Sequence, residues 1–181
     1  MREYPDWLGI NNAIPDGYGN YWFWSHCFMD QDNSFWTYYG KFGPDGDTLF
    51  ERKLPMTGQY DYPWAIVAIP GGRGLLSQYT RVQPWERTRL FFLEADGAIS
   101  SLDSINAISQ NHSHGAPYLT VDATAGVVYI TANDFRYGGY AYDIRPRVFV
   151  YDFQGNLVRS KNLTTSLGDT FIGYVYRTEE G

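Results

Sequence analysis

Residues 148–160, VFVYDFQGNLVRS, consist of two short apolar runs on either side of a Gln-Gly pair. Phe149, Tyr151 and Phe153 occupy every second position, which places their rings on one face of a β-strand. Gly155 can adopt the positive φ that a tight turn requires, and the apolar residues after it begin a return strand. The stretch therefore predicts a β-hairpin.

Two earlier stretches have the same form, LFFLEADGAISSLD at residues 90–103 and FWTYYGKFGPDGDTLFER at residues 35–52. Aligned on the three turn glycines, the residues four before and two after each glycine are Phe42 and Thr48, Leu93 and Ile99, and Tyr151 and Leu157. The glycines are about 50 to 60 residues apart, close to the length of a β-propeller blade. Pro63 and Pro117 precede apolar runs and are expected to open the inner strand of the second and third units.

The composition favours the same class of fold, because 18% of the residues are aromatic and 19 of the 181 residues are glycine. We predict an all-β, β-propeller-like fold of repeated antiparallel β-meanders in a single domain. Its parts are an N-terminal arm (residues 1–20), three repeat units (21–58, 59–110 and 111–165) and a closing strand (166–181). Closed rings have roughly four to eight blades. We therefore expect closure through the termini, a homo-oligomeric ring or membership of a longer protein.

Charge and hydropathy limit the function. The net charge of −6, without any basic run, argues against nucleic-acid binding. No apolar run approaches the roughly 20 residues that cross a bilayer, and residues 1–6 lack the apolar region of a signal peptide. We expect cytoplasmic synthesis without membrane insertion, followed by retention in the cell or release in a particle. Cys27 is the single cysteine and allows no internal disulfide.

Candidate functional residues lie in two kinds of loop. His112 and His114 precede the inner strand of the third unit, where a histidine could act as a base near neutral pH. The alternative is a polar loop that caps the strand. No third ligand stands at a recognisable spacing, so we predict neither a metal nor a cofactor. Because binding residues concentrate in loops on β scaffolds, we take as ligand-binding candidates the polar and aromatic residues of two predicted loops, Trp85, Arg136, Tyr137, Tyr140, Tyr142 and Arg145.

Part of the third unit resembles known propeller repeats. Residues 111–122, NHSHGAPYLTVD, followed by GVVYI at 126–130, are similar to the His-x-x-Pro, strand, Asp, Gly, strand pattern of sialidase-like repeats. Some proteins with such repeats are polysaccharide lyases. Residues 121–158 also resemble blades of the NHL type, and GPDGDTL at 43–49 resembles the Asp-box turn of sialidases without its aromatic residue.

The resemblance to lyases implies roles for particular side chains. His112 or His114 would be the base, Tyr137 or Tyr140 the acid, and Arg136 or Arg145 would neutralise a uronate. A likeness at the level of fold does not by itself establish an activity.

Three functions remain open. The first is a non-catalytic binding module for carbohydrate or a cell-surface polymer, because aromatic faces can stack on sugar rings. The second is a structural assembly subunit, such as a component of a viral tail or capsid-type ring, because an open array leaves strand edges unpaired. The third is part of a propeller polysaccharide lyase or glycosidase. We rank the enzyme last, because the chain is shorter than a complete propeller enzyme.

Overall fold

A computed structural model describes residues 10–29, 34–54, 60–82, 85–110, 112–137, 142–163 and 172–175. Their regular structure consists of thirteen β-strands: β1 (Ile10–Pro15), β2 (Tyr21–Met29), β3 (Ser34–Phe42), β4 (Thr48–Lys53), β5 (Tyr60–Ile69), β6 (Arg73–Val82), β7 (Trp85–Leu93), β8 (Ile99–Asn106), β9 (Ser113–His114), β10 (Tyr118–Asp122), β11 (Val127–Tyr137), β12 (Tyr142–Asp152) and β13 (Leu157–Asn162). The prediction of an all-β fold is confirmed. No helix that could cross a bilayer occurs among these residues.

The strands form three antiparallel meanders in which the spatial order follows the chain. The first sheet is β1-β2-β3-β4, the second is β5-β6-β7-β8 and the third is β10-β11-β12-β13, with the short β9 also paired to β11. Residues 10–15, inside the predicted arm, form the first strand of the first sheet. Repeated antiparallel sheets are therefore confirmed.

The last hairpin of each sheet contains the same turn. Gly46, Gly97 and Gly155 have φ of 83°, 83° and 88°. Each glycine N–H donates to the carbonyl three residues before it, and the N–H of that residue donates to the carbonyl just after the glycine. Beside each turn, at a register shift, the pairs are Phe42 with Thr48, Leu93 with Ile99 and Tyr151 with Leu157. The turn and the register beside it are therefore the same in all three sheets.

The sheets pack face to face in chain order. Phe91 and Phe92 are neighbours in β7, so their side chains point to opposite faces of the second sheet. Phe91 packs with Trp22 and Tyr39 of the first sheet, whereas Phe92 packs with residues such as Ile130 of the third sheet. The second sheet is thus buried on both faces, which explains the continuous apolar run in β7.

Two predicted loops are strands. Trp85 begins β7, where it pairs with Val82. Residues 135–137 and 142–146, in the predicted loop over 135–146, continue β11 and β12 as a paired hairpin. Aromatic and β-branched residues favour strands, and Phe135 pairs with the buried Ile144 on one face of this extension. Polar side chains at the alternate positions can bond one another on the other face. Pro63 lies inside β5 at a register shift and does not open the strand.

Residues 172–175, in the predicted closing strand, are not assigned to a strand. Side chains of β11 hold them instead. The Asn133 side-chain amide donates to the carbonyl of Ile172 over 2.8 Å and accepts from its N–H over 2.9 Å. The Thr131 hydroxyl donates to the carbonyl of Gly173 over 2.7 Å. The amide of Asn133 thus takes the place of a backbone peptide group. Residues 166–171 and 176–181 lie outside the described residues.

Candidate functional site

Charged side chains line one face of the β11–β12 hairpin near its tip. Asp134 and Arg136 on β11 stand opposite Arg145 and Asp143 on β12, and Arg147 follows two positions further along β12. Alternate positions share a face, so these five side chains project to the same side of the hairpin. β9 pairs with β11 beside them and brings His112 and His114 to the same place. We call this group the polar hairpin site.

Its outer part is an exposed ion pair with a histidine behind it. Arg145 Nε is 2.6 Å from Asp143 Oδ1, and Arg145 Nη2 donates to Asp143 Oδ2 over 3.2 Å. The two side chains are 58% and 43% exposed. The hydrogen bonds of Arg145, with a smaller contribution from His112, hold the pKa of Asp143 below its usual value. This forked pair offers both donors and acceptors to a ligand.

His112 joins the pair to the preceding loop. Its Nε2 lies 3.4 Å from Asp143 Oδ2 and its Nδ1 lies 2.7 Å from the hydroxyl of Ser109. The contact with Ser109 belongs to a turn in which the N–H of His112 donates to the carbonyl of Ser109 over 3.1 Å. Both ring nitrogens therefore have partners, and the ring orients Asp143.

The inner part of the site is buried. Nδ1 of His114 lies 2.5 Å from Asp134 Oδ1, and both side chains are fully buried. Arg147 Nη2 donates to Asp134 Oδ2 and to the carbonyl of Asn106, each over 2.6 Å. Burial lowers the pKa of Arg147, and the carboxylate of Asp134 opposes that shift. We assign His114 a structural role, because its ring has no exposed surface.

Glu86 connects this site to the second sheet. Its Oε2 accepts from the backbone N–H of His114 over 2.9 Å. The carboxylate of Glu86 also lies near Tyr79 of β6, and burial together with this charge raises the pKa of Tyr79 to about 12. The polar hairpin site is therefore fixed to β7 as well as to β9.

The structure places His112, His114, Arg136 and Arg145 on the same part of the β11–β12 hairpin. Arg136 is exposed and stands opposite Asp143. Tyr137 and Tyr142 pair at the hairpin tip, with their side chains outside the described part, and Tyr140 lies outside the described residues altogether. Trp85 lies on β7 in the second sheet, and its side chain is likewise outside the description.

Sequence reasoning missed Glu86, Asp134 and Arg147. The sequence did contain a signal for Asp134 and Arg147, because each lies on the same face of its strand as apolar core residues. Asp134 follows Ile130 and Ala132 at alternate positions, and Arg147 precedes Phe149 and Tyr151 at alternate positions. A charged residue at such a core-facing position indicates a buried partner of opposite charge.

Within the described ranges, no group of three His, Cys, Asp or Glu side chains could hold a metal ion. The described side chains of the polar hairpin site provide hydrogen bonds and charge. The sequence matches no protein-family model and has no significant match among curated proteins.

Proposed function

We propose that this chain is a non-catalytic binding module of β-propeller type that recognises a carbohydrate or a similar hydroxyl-rich surface polymer at the polar hairpin site. The observation that carries the proposal is the forked pair of Asp143 and Arg145. It is about half exposed, yet held in place from behind by His112.

The chemistry of this pair suits hydroxyl groups. A carboxylate accepts from adjacent hydroxyls while a guanidinium donates to them, and both kinds of bond are stronger than neutral ones. The buried contacts of Asp134 with His114 and Arg147 fix the strands below, so little order has to be gained on binding. Residues 137–142 contain three tyrosines in the sequence, a residue type whose ring can stack on sugar rings.

The positions of the two histidines favour binding over catalysis. A general base must reach the proton that it removes. His114 is fully buried, and both nitrogens of His112 are engaged by Ser109 and Asp143. We therefore expect no unsaturated ends, detected by their absorbance, when the protein is mixed with uronate-containing polysaccharides. Formation of such ends that is lost in His112→Ala would favour the lyase alternative.

The proposal is tested on a glycan array followed by titration of the retained glycan. Asp143→Ala and Arg145→Ala should each lower affinity about tenfold or more, because a hydrogen bond to a charged group contributes roughly 1.5–3 kcal/mol. Lys53→Ala removes an exposed cation from the first sheet and should leave affinity unchanged. Retention of no glycan, or equal affinity in all three variants, would rule the proposal out.

A further inference from the structure

We infer that β12 and β13, on the outer face of the third sheet, form a docking surface for the first sheet of a second copy of this chain, so that two copies stack into a closed ring of six sheets. Residues 172–175 cover β11 on that face, where Thr131 and Asn133 bond them, and the docking surface lies beside them. The inference depends on how the sheets stack and is independent of glycan binding. The supporting contact, between a glycine turn and the preceding sheet, occurs twice within the chain.

At each junction between sheets, the turn glycine of the following sheet packs against the last strand of the preceding sheet. A Cβ at Gly155 would come within 2.7 Å of Ser101, and one at Gly97 would overlap the ring of Phe50. Phe50 and Ser101 are equivalent, because each pairs with the residue just before the register shift of its hairpin. Both glycines are buried.

At the junction between the first and second sheets, hydrogen bonds also hold the glycine turn against the preceding sheet. The hydroxyl of Tyr39 donates to the carbonyl of Gly97 over 2.9 Å. Arg52 Nη2 donates to the carbonyl of Asp96, in the same turn, over 3.1 Å. The last two strands of one sheet thus form a seat for the glycine turn of the next.

The third sheet has an equivalent seat, and among the described residues no glycine turn occupies it. By the hairpin register, Arg159 is equivalent to Phe50 and Lys161 to Arg52, and both are exposed. These two residues help to line a groove of about 360 Å³, whose other walls are Tyr129, Val148, Val150, Ser160, Leu163 and Val175. Val148 and Val150 stand at the positions of Tyr39 and Lys41, so the groove coincides with the face that the other two sheets use for stacking.

The first sheet has the matching turn without a seat. Gly46 has the same φ as Gly97 but is exposed, and a Cβ built on it meets none of the described atoms within 4 Å. Its neighbours Asp45 and Asp47 are exposed and acidic, whereas the rim of the groove carries Arg159 and Lys161. The charges of the two open ends are therefore complementary.

The number of sheets needed for a closed ring favours a second copy of this chain as the partner that fills the groove. The described residues form three sheets, whereas closed rings have roughly four to eight, and two copies supply six. A two-fold axis would form the same contact twice, between the third sheet of each copy and the first sheet of its partner.

Sedimentation of the full chain across the micromolar range tests the inference. We expect a species of twice the chain mass of 20.8 kDa. The double variant Arg159→Glu, Lys161→Glu should raise the dissociation constant about a hundredfold or more, since it places like charges together. Adding Asp45→Lys and Asp47→Lys to that variant should restore the dimer. Ser104→Glu, at an exposed position of β8 in the second sheet, which takes no part in the proposed contact, should leave the mass unchanged.

A monomeric wild-type chain would overturn the inference and indicate that something other than a second copy covers the groove. A dimer that survives the double charge reversal would place the interface elsewhere. Growth into open filaments would overturn ring closure. None of these outcomes bears on the glycan array, so the two proposals can fail separately.

Discussion

Replacement of Lys41 by methionine is expected to lower the free energy of unfolding by about 3–5 kcal/mol at neutral pH, the usual cost of stranding a buried charge. Lys41 is only 3% exposed. Its Nζ lies 2.8 Å from Asp16 Oδ2, donates to the carbonyl of Gly72 over 2.6 Å, and sits 4.5 Å from the centre of the Trp22 ring. Methionine fills the space of the stem but leaves the buried carboxylate of Asp16 without its cation.

The loss should depend on pH in a defined direction. Burial raises the pKa of Asp16, but hydrogen bonds from Lys41 and from the N–H groups of Tyr18 and Asn20 outweigh it and bring the pKa to about 2. Because this value lies below the ordinary 3.8, Asp16 stabilises the fold fully above pH 3.8, and its contribution disappears as the pH falls through about 2. The difference between Lys41→Met and the wild type should shrink over the same interval.

Urea unfolding at several pH values, followed by tryptophan fluorescence, measures this effect. Lys53→Met, at an exposed position of the next strand, should change stability by no more than about 0.5 kcal/mol. Adding Asp16→Asn to Lys41→Met should recover part of the loss, because it removes the stranded charge. An equal loss in Lys41→Met and Lys53→Met would show that the buried pair contributes nothing.

The hairpins that could be predicted from sequence are those whose geometry is local. A glycine at positive φ between alternating apolar runs defines the turn, and this was sufficient for Gly46, Gly97 and Gly155. The turn between β1 and β2 carries a similar signal that sequence reasoning did not use. Asp16-x-x-Gly19-Asn20 matches Asp152-x-x-Gly155-Asn156, and in both the carboxylate accepts from the N–H groups two and four residues later.

The residue types of the candidate site could be predicted from the sequence, but the burial of each side chain could not. His112 and His114 are two residues apart, yet one contacts an exposed carboxylate and the other a fully buried one. Asp134 is 20 residues from His114 in the sequence, and only the pairing of β9 with β11 brings them together. The sequence predicts that Trp85 lies in a loop at the end of a strand, whereas β7 begins at this residue and pairs it with Val82. Long-range pairing decides these features, and one sequence does not specify it.

Gly97→Ala is expected to lower the free energy of unfolding by about 2–5 kcal/mol, whereas Gly46→Ala should lower it by only about 1–2 kcal/mol. Both glycines have a φ of 83°, so each alanine incurs the same backbone cost of about 1–2 kcal/mol. The difference arises from packing. A methyl group at Gly97 overlaps the ring of Phe50, and overpacking of a core costs about 1–3 kcal/mol more.

The comparison is made in the Arg159→Glu, Lys161→Glu background, so that association through the Gly46 turn does not contribute to stability. Gly155→Ala should resemble Gly97→Ala, because its methyl group would come within 2.7 Å of Ser101 and 2.9 Å of Phe92. Urea unfolding of the three variants separates the backbone cost from the packing cost. Equal losses at all three glycines would mean that the turns do not pack against the preceding sheet. The stacking from which the second copy is inferred would then lose its physical basis.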